Sequence, residues 1–279
     1  MADERGFPDL EVEGVDAPTL SGKRVLVIGA SSGIGRAAAL RAIRQGADVV
    51  VSARRRQQLA ELVEEAGGGV AVAGDVREPG DRRDILSAAA GTLGQIDLLL
   101  YTVGASPLRY FADTTPADWA TVLETNVVGP HQVIRAALPV LADGALVAVL
   151  SSETVGRPYP GLGAYAASKA ALEESLRAWR TEQPRVRFCC VTQGATVPTE
   201  FARDFDLRLL EEMMGHWARL GIVTDGVMDA DEVADVLVAC LAVAVANPRV
   251  GVEDLVIRPP FPVVGSPDGM VSIAREQLG

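Results

Sequence analysis

Tyr165 and Lys169 stand four residues apart in the run Tyr-Ala-Ala-Ser-Lys. On a helix, residues four apart share a face, so the phenol and the ammonium reach the same small volume. A phenol has an ordinary pKa of about 10, too high for efficient proton transfer at neutral pH. A neighbouring cation favours the phenolate and lowers that value. The lysine can also hydrogen-bond a ribose hydroxyl. The chain has 24 arginines and only two lysines, Lys23 and Lys169, so a lysine deep in the sequence is not surface filler. Thirteen residues before Tyr165, the apolar run Ala145 to Leu150 ends in Ser151-Ser152. A serine hydroxyl at the end of a central strand can donate to a carbonyl oxygen as negative charge develops.

A second constellation lies near the N-terminus. The run Arg24-Val-Leu-Val-Ile is followed by Gly29-Ala-Ser-Ser-Gly33-Ile-Gly35, which opens a helix-like stretch. Glycines let the backbone turn tightly and approach a ligand, and the new helix offers unpaired N–H groups and a positive dipole end. That combination suits a pyrophosphate. No Gly-Lys-Ser/Thr follows, which argues against a P-loop nucleotide hydrolase. The next strand ends in Ser52-Ala53-Arg54-Arg55-Arg56, with no acid between Val49 and Gln58. An acid there would hold a free ribose 2′-OH, whereas an arginine suits a 2′-phosphate. Arg54, assisted by Ser31 or Arg55, therefore favours NADP(H) over NAD(H).

These residues need a scaffold, and the chain alternates strand-like and helix-like segments to supply one. Strands are expected at 24–29, 48–52, 70–73, 96–101, 145–150, 186–192 and 255–257. Helices are expected at 34–45, 55–66, 79–93, 116–141 (with Gly129-Pro130 as a break), 163–183, 199–220 and 229–246. Buried apolar strands alternating with helices imply an α/β fold, a doubly wound parallel sheet covered on both faces. One domain over residues 21–260 is expected, after an unperiodic arm at 1–20 and before a tail at 261–279.

Composition narrows the partners. The 279 residues carry a net charge of −11 and are 48% hydrophobic, so neither nucleic acid nor an anionic membrane is a natural partner. The longest apolar run, Val236 to Ala246, is eleven residues, short of the roughly 20 needed to span a bilayer. The polar N-terminus lacks a signal peptide's apolar core, and three cysteines without a Cys/His cluster read as reduced thiols. A cytoplasmic protein without a metal is expected.

Taken together, Gly29-x3-Gly33-x-Gly35, Ser152 and Tyr165-x3-Lys169 resemble the short-chain dehydrogenase/reductase family, in its compact single-domain branch. The resemblance spans about residues 20 to 260. It implies a seven-stranded Rossmann sheet and hydride transfer between a nicotinamide and a carbonyl/alcohol pair. It makes Tyr165 the general acid/base, Lys169 its pKa partner and ribose ligand, Ser152 the substrate-polarising hydroxyl, and Asn126 the support of a proton relay. It places Gly29, Ser31, Ser32, Gly33, Ile34 and Gly35 at the pyrophosphate, Asp75 and Val76 beside the adenine, and Gly104 after the fourth strand. It also puts a threonine, Thr196 or Thr199, at the nicotinamide, and a substrate lid over about 199–225. The sequence departs from the family pattern at Tyr101-Thr-Val-Gly104, at Gln193-Gly194, and at Ser32, where many NADP-dependent members carry a basic residue. The lid's Phe201, Phe205, Leu209, Leu210, Met213, Met214 and Trp217 form a greasy face that could line a pocket for an apolar substrate. The same spacing is that of any docked helix, and core packing is the role expected of most of them. The resemblance further implies a homo-oligomer, a tetramer, with the small residues Ala166, Ala167, Ala170 and Ala171 on the Tyr165 helix allowing close approach. The alternative from another class is a non-catalytic NADP-binding redox sensor on the same fold.

Overall fold

The structure, a computed structural model, describes residues 17–222 and 227–259. The expected tail and all but the last four residues of the expected arm lie outside them. At the end of that arm Leu20 is buried, and its N–H donates to Gln45 Oε1 at 2.9 Å.

Seven strands make one parallel sheet: β1 (Arg24–Ile28), β2 (Asp48–Ala53), β3 (Val70–Ala73), β4 (Ile96–Tyr101), β5 (Leu141–Leu150), β6 (Arg187–Gln193) and, at the far edge, β9 (Asp254–Ile257). Its order is β3-β2-β1-β4-β5-β6-β9. A separate pair that the sequence did not announce joins β7 (Thr196–Val197) to β8 (Met228–Asp229). The central strands are rich in Val, Ile and Leu and buried on both faces, as a sheet covered by helices requires. The helices are α1 (Gly33–Arg44), α2 (Arg56–Ala66), α3 (Pro79–Leu93), α4 (Pro116–Leu123), α5 (Gly129–Ala137), α6 (Gly163–Glu182), α7 (Leu207–Arg219) and α8 (Ala230–Ala246). One core layer packs α1, α2 and α8 on the sheet, and the other packs α3, α5 and α6. The neighbours Cys189 and Cys190 fall one in each layer, as alternation along a strand demands. Strand order reverses between β1 and β4, so a crevice opens beyond their C-terminal ends.

Two expected helices are cut short. The stretch 116–141 holds α4, a π-turn at Glu124–Val128, and α5, and β5 already begins at Leu141. Within the π-turn the Gly129 N–H donates to Glu124 O, five residues back. Pro130 lacks an N–H, so the carbonyl of Asn126 has no donor at the usual helical spacing. In the expected lid helix, α7 begins only at Leu207, because Asp206 caps it by accepting the Leu209 N–H at 2.9 Å. Residues 199–206 form turns and irregular backbone instead. On α6, Leu172, Leu176 and Trp179 are buried in the chain's own core, while Ala167, Ala170 and Ala171 are exposed.

Candidate active site and cofactor cleft

A cleft of about 800 Å³ opens along the C-terminal strand ends. Every cofactor residue expected from sequence, from Gly29 to Thr196, lines it, as do Ser152, Tyr165, Lys169 and Thr199. Asn126 is fully buried behind the wall.

The glycine loop is shaped by contacts no other residue would tolerate. Gly29 has φ of 98° and Gly33 of 53°, both in the left-handed region. A Cβ on Gly29 would strike Thr102 Oγ1 and lie 3.1 Å from Val103 N; one on Gly35 would meet the same hydroxyl and sit 2.5 Å from Gly29 O. Thr102 is the residue that sequence reasoning passed over. Its hydroxyl donates to Ile28 O (3.0 Å) and approaches Gly29 O (3.2 Å), stitching the end of β4 to the loop. At the start of α1, Ser32 makes no side-chain cap and the first turn carries no acid. Free N–H groups, the helix dipole and backbone that nothing screens together fit a pyrophosphate.

At the adenosine end, Arg54 is exposed and makes no ion pair among the described residues. Arg55 is the arginine drawn onto the loop: it donates to Ser31 Oγ (2.7 Å) and Ser32 Oγ (2.9 Å) and pairs with Glu200. Asp75 receives the Arg77 side chain at 2.7 Å, which holds its carboxyl below the usual range. Val76 is buried beside it.

The proton-handling groups meet at the end of β5. Ser152, Tyr165 and Lys169 are each at most 8% exposed. Ser152 Oγ accepts from the Thr154 N–H (3.2 Å) and the Thr154 hydroxyl (3.0 Å). With both lone pairs engaged, its own hydrogen is left to point at an acceptor in the cleft. Thr154 is thus a positioning residue whose only sequence signal is a Ser-x-Thr turn. Ser151, which also lines the cleft, has its hydroxyl hydrogen committed to Glu173 Oε1 at 2.6 Å. Burial pushes the Tyr165 phenol up to about 12, against the Ser152 hydrogen bond that draws it down. Burial likewise pushes Lys169 down to about 8. Desolvation is the larger effect on the phenol, and the group that draws it down here is Ser152. Lys169 Nζ lies 5.8 Å from the Tyr165 ring centre and donates to Leu150 O at 2.8 Å.

Asn126 is committed by its side chain. It donates to Ala105 O and Ser168 Oγ, both at 2.8 Å, and accepts from Ala105 N at 2.9 Å. Ser168 in turn donates to Tyr165 O at 2.7 Å. The side chain is thus fully engaged, and Pro130 cannot give the Asn126 carbonyl a donor at the usual helical spacing. Gly104 keeps the neighbouring wall open: a Cβ there would lie 3.5 Å from Lys169 Nζ. Thr196 starts β7 with its hydroxyl on Gly194 O (3.1 Å), while the Thr199 side chain stands over Gly33 at the loop.

Above the site, α7 and the preceding turns pack into a third apolar cluster, with Leu108, Tyr159, Leu162, Tyr165, Phe205 and Met213 at its centre. Trp217 Nε1 donates to Pro160 O at 2.8 Å, and Arg157 donates to Gly221 O at 3.0 Å, fastening α7 to the β5–α6 loop. Met213 faces inward as core, while Met214 is half exposed. No described helix is long and apolar enough to cross a membrane.

Comparisons with known proteins agree with this geometry. The family model for short chain dehydrogenases matches residues 23–208. The human protein named dehydrogenase/reductase SDR family member 2, mitochondrial, is 34% identical over 202 residues, 69% of this chain and 71% of its own. A glycine betaine reductase from Emericella nidulans is 36% identical over 169 residues, 58% of this chain but only 13% of that protein. Among solved structures, a short chain dehydrogenase from Burkholderia cenocepacia J2315 in complex with NADP superposes with a TM-score of 0.72. It is 27% identical and covers 86% of this chain and 97% of its own. With the seven-stranded sheet, the glycine loop and these matches in agreement, the chain belongs to the short-chain dehydrogenase/reductase family and is an NAD(P)-dependent oxidoreductase.

Proposed function

We propose that the protein interconverts a carbonyl and a secondary alcohol with NADP(H), using Tyr165 as the general acid/base. The observation that carries this reading is the burial of Ser152, Tyr165 and Lys169 together beside the glycine loop. When bound, the cofactor supplies or accepts the hydride. Ser152, oriented by Thr154, donates to the carbonyl oxygen. Tyr165 delivers its proton to that oxygen during reduction and, as the phenolate, takes the alcohol proton during oxidation. Lys169 would hold the ribose of a bound cofactor, and its charge favours the phenolate when the proton leaves. The Asn126 carbonyl anchors the water that refills the proton. Thr196 is the threonine assigned to the nicotinamide, since Thr199 faces the loop.

NADP(H) is favoured because Arg54 is unpaired among the described residues at the ribose end, while Arg55 beside it is held by the loop serines and Glu200. The NADP bound to the Burkholderia protein supports the same reading. The protein is proposed to work in the cytoplasm as a homotetramer, with the exposed alanines of α6 allowing two such helices to approach closely. The test is a panel of aldehydes, ketones and secondary alcohols with NADPH, NADP, NADH and NAD, followed by nicotinamide absorbance. Turnover with the phosphorylated cofactor is expected. A protein that binds NADP but turns over none of the panel would be a sensor.

A further inference from the structure

Five carboxylates line the cleft, and four are neutralised. Asp75 pairs with Arg77 at 2.7 Å, Asp118 with Arg109 at 2.8 Å, Glu200 with Arg55 and Arg203, and Asp204 with Arg203 at 3.5 Å. The fifth, Glu153, has no cationic partner among the described residues. Its Oε1 accepts the Tyr159 hydroxyl at 2.8 Å and the Ala195 N–H at 2.9 Å. Its Oε2 accepts no hydrogen bond from a described residue. Both donors are neutral, so they fix the carboxylate without cancelling its charge. Burial and that same carboxylate push the Tyr159 phenol up, so it stays a donor.

The surroundings are aromatic. The Tyr159 ring lies 5.6 Å from that of Trp217, and Phe201 stands 5.0 Å from Tyr165 and 5.4 Å from Phe205. Ring faces carry partial negative charge and attract cations, most strongly where water is excluded. A neutral apolar ligand would gain from the rings, yet it would leave a desolvated, unpaired carboxylate beside it. An anion would be repelled. Arg203 is already occupied by Glu200 and Asp204, and Arg157 and Arg258 act on the Tyr159 phenol without forming an ion pair with Glu153 among the described residues.

We propose that the substrate carries a quaternary or protonated ammonium group, held by Glu153 Oε2 and the rings of Tyr159 and Trp217. The proposal rests on the hydride-transfer reading above and names its substrate class. Glu153 directly follows Ser152, and consecutive Cα atoms are about 3.8 Å apart.

Two measurements test it. In the first, tetramethylammonium chloride is titrated calorimetrically into the NADP-saturated protein. Saturable binding to the wild type is expected, with at least a tenfold weaker affinity in Glu153→Gln. No binding, or equal binding to both, overturns the proposal. In the second, NADPH-dependent reduction is compared between an aldehyde bearing a trimethylammonium group and its neutral tert-butyl isostere. The ratio of kcat/KM within each protein cancels any general loss of activity. A ratio of about ten or more in the wild type, collapsing towards one in Glu153→Gln, is expected. Reduction of the neutral isostere equally well by the wild type overturns the ammonium site and leaves hydride transfer standing. If neither aldehyde nor any member of the wider panel is reduced, the hydride reading falls, and the titration decides the ammonium site by itself.

Discussion

The phosphate loop and the lid line one cleft, meet where Thr199 and Glu200 reach the loop, and are built on opposite principles. Around Gly29 and Gly35 the surface is backbone, and its shape is fixed by what a single added carbon would hit. From Phe201 to Trp217 the surface is side chain, packed in its own apolar cluster and fastened by a few hydrogen bonds. A site made of backbone recognises what all its ligands share, a pyrophosphate. A site made of side chains recognises what distinguishes them. The difference explains why the cofactor class can be read from glycine positions while the substrate has to be read from the chemistry of individual groups.

Substitutions can press on each side of that contrast. The largest effect is expected where the two sides meet. Tyr165→Phe keeps the ring packed against Phe201 and removes the proton, so kcat should fall by roughly 10²–10⁴ while NADPH affinity holds. Most of the activity surviving on a genuine substrate would contradict proton transfer by Tyr165. On the cofactor side, Arg54→Ala should erase a preference for NADP(H) of about one to two powers of ten, the worth of a charge-assisted hydrogen bond. Ala53→Asp should shift the preference towards NAD(H). Calorimetric titration of both cofactors reads each change, and equal affinities in the wild type would reduce Arg54 to a solvated helix-start residue.

Gly35→Ala sharpens the backbone side. Its methyl group would press on Gly29 O and Thr102, and overpacking of this kind costs about 1–3 kcal/mol. Thermal unfolding with and without NADPH should show the cofactor's stabilisation reduced along with intrinsic stability. The smallest effect is electrostatic. Folded Lys169 titrates near 8 against an ordinary value of 10.5. Between those values the unfolded chain holds a proton that the folded chain does not, so this group makes the protein more stable as pH rises from 8 to 10.5. The slope is at most about 1.4 kcal/mol per pH unit. Above pH 10 the raised Tyr165 acts in the opposite direction. Denaturant unfolding of wild type and Lys169→Met at pH 8, 9 and 10 should show the rise only in the wild type.

How much could be read without coordinates follows the same division. The seven strands, their parallel pairing and the loop-to-helix turn were legible because each depends on local pattern: apolar runs, glycine spacing, helix periodicity. The π-turn was not, because the weak helix formers Thr125 to Val128 mark no particular hydrogen-bond spacing, and only Pro130 hints that the ladder must slip. The late start of α7 was hidden because residues 199–206 carry apolar residues at helical spacing, and one cap at Asp206 overrides them. Thr102, Thr154 and Glu153 went unread for a different reason. Each works through partners distant in sequence or through a turn geometry that many Ser/Thr pairs share. Arg54 and Arg55 could be named as a pair, but which of them lies on Ser31 and Ser32 depended on how β2 hands over to α2.

Tyr165 is itself a member of the apolar cluster that carries the lid, alongside Phe205 and the fully buried Met213. Its ring is held by the same packing that shapes the substrate chamber, so the chamber cannot be recut without disturbing the seat of the phenol. Double-mutant cycles between Met213 or Phe205 and substrate-contacting positions should consequently depart from additivity in kcat even where stabilities add. Selection for a new substrate would then proceed by paired changes, one widening the chamber and one restoring the ring. Of the cluster's three central lid and helix residues, Met213 is the natural second site, because an unbranched thioether can refill an altered gap at small cost.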